Sequence, residues 1–125
     1  MATVNESKQY HLCLNDPYYD QVLSGQKIYD GRCYWKEIPN MKPGDTIVFS
    51  HYTKPLMGSF EKRIVKVHRF ATFEEALTSL GLKQTLPSVN SIEEGVQVYL
   101  KFYKLETQKT HGVAMIELEP GLIPF

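Results

Sequence analysis

The sequence predicts an α+β fold in which a mostly antiparallel, barrel-like β-sheet is flanked by helices. Three strand patterns follow one another in the middle of the chain, without the strict strand–helix alternation of parallel α/β proteins. Two helix patterns, each opened by a capping box, then separate these strands from the last one. The predicted element order is β-α-β-β-β-α-α-β.

Length and composition indicate one folded domain. The chain has 125 residues, of which 42% are hydrophobic and 22% charged, and this suffices for a single core. We expect residues 1–8 to form a flexible N-terminal tail, residues 9–119 the domain and residues 120–125 a C-terminal tail. No apolar run reaches the roughly 18–20 residues of a membrane span, and no signal peptide opens the sequence. We therefore expect an intracellular protein, cytoplasmic or nuclear, without membrane contact.

The first strand is predicted from the alternation of apolar and polar residues, and the first helix from residues typical of helix ends. Residues 9–14 alternate between apolar and polar side chains, which predicts a half-buried strand. In the helix that follows, Asp16 is the expected N-cap, Pro17 the first helical residue and Gly25 the residue that ends it.

Later elements follow from the same signals. Helices are expected to begin at the capping boxes Thr72–Glu75 and Ser91–Glu94. The strands that remain are predicted at 28–34, 46–52, 60–70 and 112–119, with a short helical turn at 105–109.

The octet at residues 25–32 joins the first helix to the second strand and carries three charges. Arg32 offers a bidentate fork and Lys27 a point charge, so the two can hold an anionic or polar ligand. Asp30 would orient both cations or act as a base. Simple alternation separates Lys27 from the other two, so convergence requires Lys27 at the helix–strand turn or a bulge at Gly31. The alternative interpretation is a solvent-facing ion pair.

A second hypothesis concerns basic residues on and before the fourth strand. Cations interleaved with aromatic residues are typical of a surface that binds single-stranded nucleic acid, although a solvated outer strand face explains them too. The residues concerned are Lys54, Lys62, Arg63, Lys66, His68 and Arg69, near Tyr34, Trp35 and Tyr52. Lys62, Lys66 and His68 are predicted to share one face.

Other chemistries find little support. The formal net charge is zero, which argues against a non-specific electrostatic DNA binder. Cys13 and Cys33 are expected to be reduced and partly buried, although one disulfide is possible. The four histidines show no metal-ligand spacing, so we expect neither a metal nor a cofactor.

The octet, Gly-x-Lys-x-x-acid-x-Arg, resembles the signature of the ASCH domain, a PUA-like family. The resemblance extends to Pro17-Tyr18, to residues 42–45 (Lys-Pro-Gly-Asp) and to residues 111–114 (His-Gly-Val-Ala), and it covers about residues 9–119. The chain is most similar in pattern to the small stand-alone members.

The resemblance implies a small β-barrel whose signature residues line a cleft that binds RNA or nucleotides. One branch of the family hydrolyses the acetyl amide of acetylcytidine with a lysine that corresponds to Lys27, a threonine where this chain has Asp30, and a glutamate. Glu75 and Glu94 are the nearest candidates for that glutamate. A ribonuclease branch suggests Lys27, Ser50 and Tyr52 as analogues.

Three hypotheses follow. The first is a module for single-stranded RNA or a modified nucleoside, in which Lys27, Asp30 and Arg32 hold a base. Backbone or stacking contacts would then come from Tyr34, Trp35, Tyr52, Lys54, Arg63 and Lys66. The second is a small hydrolase that uses Lys27. The third is a protein-interaction domain, which an exposed Asp30–Arg32 pair without a nearby pocket would favour. We expect a monomer in each case.

Overall fold

In the computed structural model, which describes residues 6–124, five strands form one mixed sheet that curls into a half-barrel. Single-turn 3₁₀ helices at Ile38–Asn40 and Pro55–Met57 precede the third and the fourth strand of the chain. The elements are β1 (Gln9–Leu14), α1 (Tyr18–Ser24), β2 (Tyr29–Cys33), β3 (Thr46–His51), β4 (Ser59–Phe70), α2 (Phe73–Leu80), α3 (Ile92–Leu100), α4 (Leu105–His111) and β5 (Val113–Leu118).

The strand order across the sheet is β1-β3-β4-β5-β2. Only β1 and β3 run parallel, while the other three neighbouring pairs are antiparallel. The predicted α+β class and the mostly antiparallel sheet are thus confirmed. The structure has one helix more than the predicted order, because the helical turn expected at 105–109 is the full helix α4.

The two edge strands face each other across an open seam. Arg32 on β2 closes part of this gap, because its Nη2 donates a hydrogen bond of 3.0 Å to the backbone oxygen of Cys13 on β1. One core cluster fills the half-barrel and includes Ile47, Phe49 and Ile116, all fully buried. A second cluster lies between the other side of β5 and the helices.

Asp16 does not cap α1, contrary to the prediction. Pro17 occupies the cap position without a side-chain hydrogen bond, and the helix begins at Tyr18. The carboxylate of Asp16 accepts instead from His51 Nε2 at 3.0 Å and from Lys54 Nζ at 2.7 Å. These two basic groups attract a carboxylate more strongly than the N–H groups of a short helix.

Gly25 ends α1 as predicted. It adopts a left-handed φ of 86°, and its N–H donates to the oxygen of Val22. A Cβ at this position would also lie 2.9 Å from the Pro120 oxygen. Glycine is therefore required both by the turn and by the close approach of the chain after β5.

The capping boxes are present at both predicted positions. The side chains of Thr72 and Ser91 accept hydrogen bonds from the N–H groups of Glu75 and Glu94, each at 3.1 Å. In return, the two glutamates accept from backbone N–H groups just before each helix, at Ala71 and Asn90. These contacts account for both glutamates as helix caps.

The predicted basic face of β4 is wrong at Lys62. A bulge between Ile64 and Lys66 breaks the alternation, so Lys62 and Lys66 do not share a face. Lys62 is 1% exposed and lies inside the half-barrel, where its Nζ donates to the oxygens of Leu23 and Pro120. Burial lowers the pKa of Lys62.

One residue of each predicted tail, Lys8 and Ile123, is hydrogen-bonded to the sheet. Thr46 N donates to the Lys8 oxygen, and Ile123 N donates to the Glu61 oxygen on β4. Residues 1–5 and 125 lie outside the described part of the chain. Both cysteines are free thiols, with Cys33 buried and Cys13 exposed rather than partly buried. None of the helices within residues 6–124 is long and apolar enough to cross a membrane.

Candidate functional site

A cavity of about 450 Å³ lies at the seam of the half-barrel. One wall comes from the end of β1, another from β2 and the turn before it, and a third from the end of α3 and the segment after it. The lining residues are Cys13, Leu14, Asn15, Tyr18, Lys27, Asp30, Gly31, Arg32, Tyr52, Leu86, Val98, Tyr99, Lys101, Phe102 and Tyr103. All three charged residues of the octet are among them.

Lys27 reaches the cavity because it lies in the turn between α1 and β2. Its backbone N–H donates to the Gln21 oxygen, and its side chain is only 3% exposed. The ammonium donates to the backbone oxygens of Tyr29, at 2.6 Å, and Thr85, and it lies 5.9 Å from the ring centre of Tyr18. An ammonium has three donors, so one N–H is left over for a ligand.

Lys27 loses its proton more easily than an exposed lysine does. Burial is the largest cause and lowers the pKa of Lys27 to about 8, from an ordinary 10.5. The charge of Asp30 works against this shift, whereas that of Arg32 adds to it. A neutral amine is thus accessible near neutral pH, which is uncommon for lysine.

Asp30 and Arg32 form a largely buried ion pair beside Lys27. Arg32 Nε donates to Asp30 Oδ2 at 2.7 Å, and the side chains are 19% and 4% exposed for Arg32 and Asp30. Burial alone would lower the pKa of Arg32, but the charge of Asp30 and this hydrogen bond outweigh it and raise the pKa. The guanidinium is therefore permanently charged and fixed in orientation at the cavity wall.

Gly31 does not form the bulge that was one way to bring the three charges together. The β2–β5 register is regular through Gly31, and the position of Lys27 in the turn accounts for the convergence. Gly31 is needed for another reason: a Cβ here would lie 2.7 Å from both Cε1 and the hydroxyl oxygen of Tyr99. The ring of Tyr99 thus packs directly against the β2 backbone.

The hydroxyl of Tyr99 is the most informative atom of the site. It is fully buried and has no hydrogen-bond partner among residues 6–124. The ring stacks on Phe73 with 4.1 Å between centroids and an angle of 8°, which holds the hydroxyl in place. Burial and the neighbouring charge of Asp30 raise the pKa of Tyr99, so the group stays protonated. It can serve as a fixed hydrogen-bond donor.

Aromatic side chains form the mouth of the cavity. Tyr18 meets Phe102 edge-to-face, with 6.4 Å between ring centroids. Phe102 and Tyr52 are 53% and 68% exposed, which leaves large apolar surfaces at the entrance. Of these residues only Tyr52 was predicted as a site residue from the sequence. Tyr18 and Tyr99 were not among the predicted site residues, because the apolar face of a helix can line either the core or a cavity.

Two predicted aromatic residues and one predicted lysine lie outside the cavity lining. Trp35 packs edge-to-face on Tyr103 at 6.5 Å, and Tyr34 lies beneath the guanidinium of Arg69 at 3.4 Å. Lys54 is paired with Asp16.

The remaining predicted residues lie farther out in the fold, and none is among the cavity-lining residues. Arg63 donates to the Gly44 oxygen at 3.0 Å, and Lys66 is exposed on β4. Ser50 lies on β3 outside the lining. Glu75 and Glu94 cap their helices, so neither of these predicted glutamates lines the cavity with Lys27.

The geometry of the site also bears on a metal site and on a protein-interaction domain. Residues 6–124 contain no group of three or more histidine, cysteine, aspartate or glutamate side chains that could hold a metal ion. The exposed Asp30–Arg32 pair that would have favoured a protein-interaction domain is not found, because the pair is largely buried and lines a cavity.

A curled half-barrel sheet flanked by helices, with a charged and aromatic cavity at its seam, defines a small α+β domain of the β-barrel type. The ASCH domain family matches residues 12–121, and the chain therefore belongs to the ASCH domain family, a PUA-like family generally linked to RNA binding.

Solved structures agree with this assignment. The crystal structure of the hypothetical protein PH0355 is 33% identical, with a TM-score of 0.80, and the alignment covers 92% of this chain and 99% of that one. The solution structure of PF0455 from Pyrococcus furiosus is 32% identical over 94% and 99% of the two chains, with a TM-score of 0.73. A tyrosine-to-phenylalanine mutant of ZmASCH from Zymomonas mobilis shares the fold at 15% identity, 94% and 73% coverage and a TM-score of 0.63. No functionally curated protein matches the chain.

Proposed function

We propose that this protein binds RNA or a nucleotide by taking a base into the cavity at the seam. The observation that carries the proposal is the unpartnered, buried hydroxyl of Tyr99 in a cavity that also holds Lys27 and the Asp30–Arg32 pair. A buried polar group without a partner is costly, so a ligand that supplies the missing acceptor gains a hydrogen bond when it reaches this hydroxyl. The volume of about 450 Å³ lies within the usual range for small-molecule sites.

The lining matches the chemistry of a nucleobase. Aromatic edges at Tyr18 and Phe102 suit a flat, π-rich ring. Tyr99 and the third N–H of Lys27 donate to ring nitrogens or carbonyl oxygens of the base, and the Asp30 carboxylate, which also accepts from Arg32, accepts from its amino or imino groups. Family membership, with its general link to RNA, supports the same class of ligand.

The decisive variant is Tyr99→Phe, which removes one atom and keeps the stack on Phe73. We expect the affinity for uridine or cytidine monophosphate, measured by calorimetry at low salt, to fall about threefold to tenfold, the value of one neutral hydrogen bond. Thermal stability should stay equal or rise, because the variant loses an unsatisfied polar group.

Tyr10→Phe is the matched control, since the Tyr10 hydroxyl bonds the Asn40 oxygen outside the cavity. It should leave nucleotide affinity unchanged. No binding by the unmodified protein to nucleotides or short RNA at low salt would refute the proposed function. Equal affinities of the Tyr99→Phe variant and the unmodified protein would refute the role of this hydroxyl.

A second function, hydrolysis of an acetylated cytidine amide, is supported by the lowered pKa of Lys27. A neutral Lys27 amine would take a proton from a water molecule as the water oxygen attacks the amide carbonyl. The C–N bond then breaks, the proton passes to the leaving amine, and acetate and cytidine are released. Asp30 would orient the cations here and form no covalent intermediate.

Acetate release from acetylcytidine tests this second function. We expect a rate that rises with pH through about 8, the pKa of Lys27, since only the neutral amine accepts a proton. Lys27→Met should abolish the release. Rates that are negligible and equal for both proteins would exclude it and leave the binding function standing.

A further inference from the structure

A second groove, of about 440 Å³, lies at the junction of α4 and β5 and shares no residue with the lining of the cavity. It is a broad surface depression between the end of β4, the first turn of α2 and the end of α4. Its lining residues are Arg69, Phe70, Ala71, Glu75, Lys109, Thr110, His111 and Gly112.

The groove carries more positive than negative charge. Arg69 and Lys109 are exposed, and neither forms an ion pair within residues 6–124. Glu75 is the single carboxylate in the lining, and one of its oxygens accepts from the N–H of Ala71. Unpaired cations in a neutral protein mark a preferred place for an anion.

Arg69 is held in a defined orientation. Its guanidinium carbon lies 3.4 Å from the ring centre of Tyr34, so the planar group stacks on the aromatic ring. Stacking uses the face of the guanidinium and leaves its N–H edges directed outward. An edge-on guanidinium is the preferred bidentate partner of a phosphate group.

A continuous line of rings connects the groove with the cavity. Tyr103, in the cavity lining, packs on Trp35 with 6.5 Å between centroids, and Trp35 packs on His111, in the groove lining, at 5.5 Å. The Lys36 ammonium lies 4.5 Å from the ring centre of Trp35 and adds a further cation to this line.

We propose that the groove binds the backbone phosphates of nucleotides that flank the base in the cavity, with the strand passing over Trp35. Aromatic platforms beside cations are the usual means of holding a single strand without sequence preference. This inference rests on the proposed binding function and adds a site for a strand of several nucleotides. The cavity would thus select the base, and the groove would select an oligonucleotide over a free nucleotide.

The test compares uridine monophosphate with a uridine hexanucleotide on the full chain. We expect the hexanucleotide to bind more tightly to the unmodified protein. Arg69→Gln and Lys109→Gln should each lower the affinity for the hexanucleotide about threefold to tenfold at low salt. Each should also reduce the slope of log affinity against log salt concentration by about one. The affinity for uridine monophosphate should not change.

Lys83→Gln serves as the control, because Lys83 is an exposed lysine between α2 and α3 in neither lining. It should leave the hexanucleotide affinity and the salt slope unchanged. The groove proposal is overturned if the hexanucleotide binds no tighter than the nucleotide, or if the two groove variants behave like the control. The groove proposal is also overturned if the two groove variants lower the affinity for uridine monophosphate as much as the affinity for the hexanucleotide. If neither probe binds the unmodified protein, the proposed function fails together with it.

Discussion

Lys27 illustrates how single residues set the properties of the site. Its ammonium is buried, and within residues 6–124 it donates hydrogen bonds only to the oxygens of Tyr29 and Thr85, so the protein stabilises its charge less well than water does. The group is therefore costly in its charged form and less costly when neutral. A residue that lowers stability in this way suggests a role other than packing.

This cost predicts a pH dependence of stability. The pKa of Lys27 is about 8 in the folded chain and near its ordinary value when unfolded, so the unfolded chain binds more protons between pH 8 and 10. The contribution of Lys27 to the free energy of unfolding should thus rise by about 2 kcal/mol from pH 7.5 to 9.5. Urea unfolding of the unmodified protein and of Lys27→Met at both pH values measures it.

The difference between the two proteins isolates Lys27. Other groups with shifted pKa values, such as the buried Lys62, contribute equally to the pH dependence of both proteins. Their contributions therefore cancel in the difference between the two free energies of unfolding. The variant should gain less stability than the unmodified protein as the pH rises. Parallel pH profiles would show that Lys27 is charged as easily in the folded protein as in water.

At the scale of elements, the contact between α3 and β2 shapes the cavity. Tyr99 on α3 lies over Gly31 on β2 and is backed by Phe73 on α2. One aromatic ring therefore joins a strand to two helices. Because the ring is enclosed on both sides, it has no room to retreat from a larger side chain at position 31.

Gly31→Ala should therefore be strongly disruptive. Its Cβ would come within 2.7 Å of the Tyr99 ring, and we expect a loss of about 1–3 kcal/mol in the free energy of unfolding together with weakened nucleotide binding. Chemical denaturation and calorimetry measure the two effects.

Gly121→Ala is the matched control, since nothing lies within 4 Å of its Cβ position. It should change stability by less than about 0.5 kcal/mol. In the double variant Gly31→Ala, Tyr99→Leu the cost of the alanine should shrink, because the clashing ring is gone. Strict additivity of the two changes would contradict the proposed clash.

Elements whose signals are local could be predicted from the sequence. Thr72 and Ser91 begin helices as expected because a capping box is complete within four residues. Asp16 failed as a cap because its partners, His51 and Lys54, come from a distant part of the chain. The face of Lys62 was missed because a bulge leaves no clear mark in the alternation of β4.

The candidate site could be predicted only where it coincides with a contiguous motif. Lys27, Asp30 and Arg32 lie within one octet, and all three line the cavity. The opposite wall, with Tyr99, Phe102 and other aromatic residues, depends on how α3 packs across the sheet. Helical periodicity gives the face of such residues but not the surface that the face meets.

For the whole molecule, the open seam between β1 and β2 is the feature that makes a cavity possible. A closed barrel of this size would fill its interior with side chains. Here the two edges are spanned by Arg32 and the ends of the helices, so polar groups line the gap without being exposed as a free sheet edge.

The pairing of β2 with the last strand, β5, has a consequence for synthesis on the ribosome. Among the strands of residues 6–124, β2 pairs with β5 alone. It leaves the exit tunnel long before this partner at Val113–Leu118 has been translated. Pairings between segments so far apart in the chain close slowly. We therefore expect the nascent chain to hold β1, β3 and β4 together first and to assemble the wall of the ligand cavity last. Until then, the unpaired β2 is the part of the nascent chain most open to chaperones or to misfolding.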